Sequence, residues 1–144
     1  MTNEEIEAVR KIIKTHIMNY GSLYATCYDR SIKEYNGLRV LNSTKKVETN
    51  HAVSIIGWDD NFSRTNFPSS CRPSKNGAYL VLNSAGSGWG SSGCFWVSYE
   101  DYWIERKLQG VIKAEDIWEY VTNSTMTVKD SNNNQEMQLN IIPK

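Results

Sequence analysis

Apolar residues recur every three or four positions along the first twenty residues, which is the period of a helix with one buried face. The residues that would form this face are Ile6, Val9, Ile13 and Ile17. Thr2 and Glu5 have the spacing of a capping box, and Gly21 is a typical residue at the end of a helix. We therefore predict a helix from Thr2 to Tyr20.

Beyond this helix the apolar residues come in short runs that are rich in β-branched and aromatic side chains, and polar or glycine-containing stretches separate the runs. The predicted strands are residues 22–28, 38–41 and 108–113, together with the runs that begin at His51, Gly77 and Phe95. Residues 29–35 favour a short helical turn, and Asn36-Gly37 is a turn signal. One helix followed by many strands indicates an α+β fold.

The last thirty residues have a pattern of their own. Strand-like alternation occurs at residues 117–121, 125–129 and 136–142, and a polar break lies at 130–134. We predict that residues 1–114 form the main domain and that residues 115–144 are an extension. This extension would be either an added hairpin or the start of a further domain.

Length, charge and hydropathy limit the classes of function. The 144 residues suit one domain, and sixteen basic residues balance sixteen acidic ones, so nothing favours nucleic acid or an anionic membrane surface as a partner. The apolar runs are too short to span a bilayer, and the sequence contains no recognisable targeting signal. We expect no membrane span and cannot place the protein in a compartment from these residues alone.

The cysteines and histidines argue against a metal centre. The chain contains Cys27, Cys71 and Cys94 but no Cys-x-x-Cys motif, and its two histidines lie far apart in sequence. We therefore expect no metal and no other cofactor. An odd number of cysteines leaves at least one thiol unpaired, and a Cys71–Cys94 disulfide stays open if the protein is exported.

Two residues with catalytic potential lie at the ends of predicted strands. His51 opens an apolar strand, and Asn83 follows another apolar strand directly before a glycine-rich turn. The blocks are His51-Ala52-Val53, Gly57-Trp58, Asn83-Ser84-Ala85-Gly86 and Trp89-Gly90. In this order and spacing they resemble the C-terminal, right-hand half of the papain-like cysteine peptidases, and the long loop 59–76 is similar to that of bacterial surface members.

The resemblance implies a fold and catalytic roles. The expected fold is an N-terminal helix packed on a mostly antiparallel, barrel-like β-sheet. His51 would act as the general base, and Asn83 would orient its ring. In this family the nucleophilic cysteine precedes the histidine by about 130–150 residues. Because only fifty residues precede His51 here, we expect the nucleophile to come from an N-terminal half outside this sequence, and Cys27 to be a buried strand residue.

The resemblance also implies substrate contacts and partners. Carried over residue by residue, the substrate-binding positions are Leu23, Asn50, Ala52 and Trp89, and the substrate would be a peptide or protein. A right-hand half that lacks its partner would expose an apolar face, so we expect a homodimer or coverage by residues 115–144. An extracellular or cell-surface location would follow if the whole protein follows the family.

One departure from the family pattern supports other interpretations. Ala85 stands where the family has a tryptophan that covers the Asn–His hydrogen bond, so that bond would be more exposed to water and weaker. A non-catalytic peptide-binding or scaffold domain is therefore an alternative to a peptidase, and a fragment of an ordinary enzyme is a third interpretation. On its own, the chain is expected to be inactive.

Overall fold

The structure, a computed structural model, describes residues 2–105 except 45, 47, 85 and 91, and in addition residues 125–129 and 136–140. The strands predicted at 108–113 and 117–121 lie outside the described residues, as does Ala85. The division into a main domain and an extension stays a prediction.

The N-terminal helix is confirmed. Helix α1 spans Asn3–Tyr20 and begins with the predicted capping box, in which the Glu5 N–H donates to Thr2 Oγ1 at 3.1 Å and the Thr2 N–H donates to Glu5 Oε2 at 3.0 Å. Gly21 ends the helix in the left-handed region at φ 85°, where a side chain would be strained. No helix in the described part of the chain is long and apolar enough to cross a membrane.

Six strands form one sheet behind this helix. The strands are β1 (Leu23–Cys27), β2 (Lys33–Tyr35), β3 (Leu38–Leu41), β4 (His51–Asp59), β5 (Ala78–Leu82) and β6 (Cys94–Ser98). Their order across the sheet is β1-β4-β5-β6-β3-β2, and every neighbouring pair is antiparallel except β3 and β6. The α+β class and the mostly antiparallel sheet are confirmed. Among the described strands the sheet stays open, with β1 and β2 as its edges, so it is not a closed barrel.

The segment after β1 differs from the prediction of one helical turn over residues 29–35. A short 3-10 helix covers only Asp29–Ser31, and the chain then enters β2, which pairs with β3. Asn36 and Gly37 connect the two strands with φ values of 51° and 79°, as a two-residue hairpin turn requires. Strand β2 has only three residues, too few for its own pattern to predict it.

The two faces of the sheet are covered differently. On one face, α1 contributes Ile12 and Ile13 to a core with alternate residues of the central strands, among them Val53, Ile55 and Val81. On the other face, the long loop after β4 inserts Phe62 and Phe67 against Val40, Ala78 and Trp96. The Phe62 ring stacks on Trp96 at 4.5 Å. This loop therefore packs over one half of the second face and leaves the other half uncovered by it.

Two further strands lie in the C-terminal region. β7 (Thr125–Lys129) and β8 (Glu136–Asn140) pair with each other as an antiparallel two-stranded sheet. The strand predictions are therefore confirmed over 125–129 and 136–140, and residues 141 and 142 of the second predicted strand lie outside the described residues.

Candidate active site

The pairing of β4 with β5 brings His51 and Asn83 together. Ser54 lies opposite Leu82, so one step further along both strands places Asn83 opposite Val53 and makes it a diagonal neighbour of His51 on the same face. The two side chains are half-buried, and His51 Nε2 lies 2.7 Å from Asn83 Oδ1. The contact expected from the sequence is present.

A backbone donor fixes the orientation of the Asn83 amide. The Ser84 N–H donates to Asn83 Oδ1 at 2.8 Å, and a backbone N–H can only be a donor, so the atom facing both groups must be the oxygen. Because this oxygen can only accept, the hydrogen between it and the ring belongs to Nε2. In a neutral ring the Nδ1 atom then carries the lone pair, and no described residue forms a hydrogen bond with Nδ1. The arrangement can therefore accept a proton at Nδ1.

Asn50 positions the histidine strand by a reciprocal contact with Asp29. Its Nδ2 donates to Asp29 Oδ1 at 2.7 Å, and its Oδ1 accepts from the Asp29 N–H at 3.0 Å. These bonds tie the residue before His51 to the turn that follows β1. The Asn50 amide is thus engaged within the protein, and its contact with substrate stays a prediction.

The predicted substrate-binding positions on β1 and β4 do not share a face. Leu23 is only 3% exposed and lies on the helix side, in the core with α1. Ala52 is exposed on the opposite face, where its partner across the strands is Thr26. Thr26 is therefore the β1 residue beside Ala52, and the structure does not bring Leu23 to it. The alternation of buried Leu23, Ala25 and Cys27 in β1 is the signal that separates the two faces.

Trp89 is held from two sides at the end of the glycine-rich turn. Its ring packs edge-on against Phe95 at 5.6 Å, and the guanidinium of Arg39 lies 4.7 Å from its centroid. The indole is half-buried, so part of it stays available for contacts with a ligand.

All three thiols are free, so the Cys71–Cys94 disulfide is absent. Cys27 lies directly opposite His51 in the β1–β4 pair, yet it is fully buried. Burial, and then the nearby Asp101 and Asp29, raise the pKa of the Cys27 thiol to about 12. Burial likewise raises the pKa of Cys71, and Cys94 is 8% exposed. Since a nucleophilic cysteine needs an accessible thiolate, neither Cys27 nor Cys71 has the right environment.

The described residues contain no group of three or more His, Cys, Asp or Glu side chains that could hold a metal ion.

The family of the chain follows from comparison with known proteins. The model of the papain family cysteine proteases matches residues 2–112, and the chain belongs to this family. The helix, the sheet and the His–Asn pair described above lie within the matched region.

Solved structures and curated proteins agree with this assignment. The clostridial cysteine protease Cwp84 is 41% identical with a TM-score of 0.57, and the match covers 65% of this chain and 23% of Cwp84. A second structure holds the cysteine protease and lectin-like domains of Cwp84, a surface layer associated protein of Clostridium difficile; it is 40% identical, with a TM-score of 0.58 and coverage of 65% and 21%. Serine-repeat antigen protein 5 of Plasmodium falciparum is 33% identical over 95 residues, which are 65% of this chain and 9% of that protein. The chain thus spans less than a quarter of these relatives.

Proposed function

We propose that this chain supplies the histidine half of a cysteine peptidase active site, with His51 as general base and acid and Asn83 as its orienting residue. The observation that carries the proposal is the 2.7 Å bond from Nε2 to an Asn83 oxygen that the Ser84 N–H also holds. This bond fixes the ring and leaves Nδ1 for proton transfer.

The reaction would proceed in two stages. Nδ1 takes the proton of a cysteine thiol, and the thiolate attacks the carbonyl carbon of the peptide bond. The imidazolium then gives its proton to the leaving amine nitrogen as the C–N bond breaks, which leaves a thioester. A water molecule, deprotonated at Nδ1, hydrolyses this thioester and releases the acid and the thiol. A neutral amide suits the orienting role, because a carboxylate beside Nε2 would compete with the thiolate for the imidazolium.

The nucleophile in this proposal comes from a polypeptide segment outside the 144 residues. The environments of Cys27 and Cys71 support that view, since burial raises the pKa of both thiols. Peptide is the substrate class that fits the family, and the small neutral side chains of Ala52 and Thr26 favour a small or apolar substrate residue beside them.

Reconstitution tests the proposal. We would pair the chain with the cysteine-bearing N-terminal half of a papain-family protease such as Cwp84 and assay a panel of fluorogenic peptides under reducing conditions. Thiol-dependent hydrolysis should appear, and His51→Ala should lower it by about 10²–10⁴-fold because general acid–base catalysis is lost. His16→Ala, at the other histidine, is the matched control and should leave turnover unchanged.

The same assay separates the alternative functions. The chain alone should show no turnover; if it does, and Cys27→Ala abolishes that turnover, Cys27 is the nucleophile and the proposal fails. A non-catalytic peptide-binding domain is the second candidate, favoured by Ala85 at the family's tryptophan position. It predicts a reconstituted protein that binds peptides without hydrolysing them, with or without His51.

A further inference from the structure

A cavity of about 310 Å³ lies between the turn after β1, the end of β3 and the long loop after β4. It shares no lining residue with the His51–Asn83 pair. Its walls include the cations Arg30 and Lys33, the hydroxyls of Ser31 and Ser70, and the side chains of Asn42 and Cys71. We call it the Asn42 cavity.

The charged side chains among the described lining residues are both cations, although the buried Asp101 carboxylate accepts from the N–H of the lining residue Ser43 at 2.6 Å. Arg30 and Lys33 are exposed, and within the part of the chain that the structure describes no carboxylate lines the cavity and neither cation forms an ion pair. Serine hydroxyls line the same cavity. Two unpaired cations with adjacent hydroxyl donors favour an anionic group in the ligand.

The buried wall of the cavity also contains a hydrogen-bond acceptor that lacks a donor among the described residues. Asn42 is only 5% exposed, and its Nδ2 donates to the Cys71 carbonyl at 2.8 Å. Its Oδ1 accepts no hydrogen bond from any described residue. Buried acceptors are almost always satisfied in folded proteins, so an unpaired one in a cavity wall points to a missing partner. The ligand should therefore carry an N–H or O–H near its anionic group.

These two requirements fit the end of a peptide chain better than other small anions. A C-terminal carboxylate and the last peptide N–H lie within one residue of each other. The base of a nucleotide commonly stacks on an aromatic side chain, and no aromatic side chain of a described residue lines the cavity. The volume is at the lower end of the range for ligand pockets, which suits a short peptide end.

We propose that the Asn42 cavity binds the C-terminal end of a peptide. Arg30 and Lys33 hold the terminal carboxylate, and Asn42 Oδ1 accepts a hydrogen bond from a peptide N–H. This site does not depend on the proposed catalytic role of His51.

Calorimetric titration of the 144-residue chain with acetyl-Ala-Ala-Ala tests the proposal. The free acid should bind at least about tenfold more tightly than its C-terminal amide, because the amide loses a charge-assisted bond. An ester-linked analogue that lacks the last N–H should weaken binding by about tenfold for loss of the bond to Asn42, and it leaves the protein unchanged.

Protein variants separate this site from the rest of the surface. The Arg30→Ala/Lys33→Ala variant changes two exposed side chains, so it should fold and should bind the free acid at least about tenfold more weakly. Lys11→Ala/Lys75→Ala removes two exposed cations elsewhere and should bind as the natural chain does. Bound peptide should also slow alkylation of Cys71, the most exposed of the three thiols.

Three results would overturn the proposal. They are equal binding of acid and amide, absence of saturable binding, and binding of inorganic phosphate that the peptide acid does not displace. Equal loss of affinity in the two double variants would also contradict it, because the effect would then be one of net charge.

Discussion

Two clusters of polar side chains lie on the helix side of the same sheet. They differ in how many of their polar atoms form hydrogen bonds. Arg10 reaches from α1 to Glu105 through Nε at 2.6 Å and Nη2 at 3.1 Å, and Tyr79 donates to the same carboxylate at 2.8 Å. Glu105 is 2% exposed. His51 and Asn83, by contrast, are half-buried at the ends of strands, and one ring nitrogen lacks a described partner.

This difference in hydrogen bonding suits the Arg10–Glu105 cluster to a structural role and the His51–Asn83 pair to a chemical one. A buried network in which each member is satisfied holds elements in one arrangement, and here it joins the first helix to residue 105. A pair that is fixed at one nitrogen and open at the other can exchange a proton. The predictions below test this contrast.

Removal of the buried carboxylate should have the largest effect on stability. Arg10 contacts two glutamates, the buried Glu105 and, at 2.8 Å, Glu7, which is 63% exposed. Glu105→Ala leaves a part-buried guanidinium without its partner and should cost about 3–5 kcal/mol of unfolding free energy. Glu7→Ala, the matched control on the same arginine, should cost less than about 0.5 kcal/mol. Urea titration of both variants measures this, and equal losses would contradict the structural role.

The same carboxylate should give stability a recognisable pH dependence. Burial raises the pKa of Glu105 above its ordinary value, and its bonds to Arg10 and Tyr79 only partly offset this. Because the folded pKa exceeds the unfolded one, this contribution is present at low pH and is lost as pH rises through the raised pKa. Between the unfolded and the folded pKa of Glu105, the slope of the unfolding free energy against pH should differ between the natural chain and Glu105→Gln. Urea unfolding of both proteins at a series of pH values measures this slope.

Loss of the orienting amide should have an intermediate effect, confined to chemistry. Asn83→Ala removes the acceptor of a bond to a ring that becomes cationic, which should lower turnover of the reconstituted enzyme by about 10–150-fold. Ser84→Pro removes the N–H that holds the Asn83 oxygen but leaves the oxygen itself, so it should lower turnover less, although proline also restricts the backbone of residues 83 and 84. The free energy of unfolding should change little in Asn83→Ala. A large stability loss with unchanged turnover would reverse the assignment.

A substitution on the half of the second sheet face that the long loop after β4 leaves uncovered should have the smallest effect, on association of the chain. Tyr24 and Leu82 both flank Ser54 in one row across the sheet and are 53% and 41% exposed. The homodimer expected from the sequence would use the face near His51 and Trp89; if Tyr24 takes part in that interface as well, Tyr24→Glu should weaken association by about 1–2 kcal/mol in sedimentation experiments. Met18→Glu, at an exposed apolar residue of α1, is the control. A natural chain that stays monomeric at all concentrations would rule out the dimer.

Local signals in the sequence predict much of this fold and site. The capping box, the glycine stop and the alternation in the central strands depend on neighbouring residues, and each has its expected structure. The proximity of His51 and Asn83 came from the order of several family blocks, because no local pattern places residues 51 and 83 together. Their catalytic roles remain proposals.

What the sequence could not predict depends on pairing between distant segments. Strand β2 exists because β3 pairs with it, so its three residues favoured a helical turn when considered alone. Leu23 and Ala52 were both predicted to contact substrate, and the β1–β4 register places Thr26, not Leu23, opposite Ala52. The Arg10–Glu105 pair joins residues 95 positions apart, and nothing near either residue in sequence indicates it.

The tautomer of the neutral His51 ring tests the central claim most directly. Nitrogen-15 NMR of the neutral ring distinguishes the two tautomers, and His16 provides an internal reference. We predict that Nε2 carries the hydrogen and Nδ1 is bare, and that Asn83→Ala removes this preference at His51 but not at His16. A hydrogen on Nδ1, or a tautomer balance that Asn83→Ala leaves unchanged, would contradict the assignment of Asn83 as the residue that prepares His51 for proton transfer.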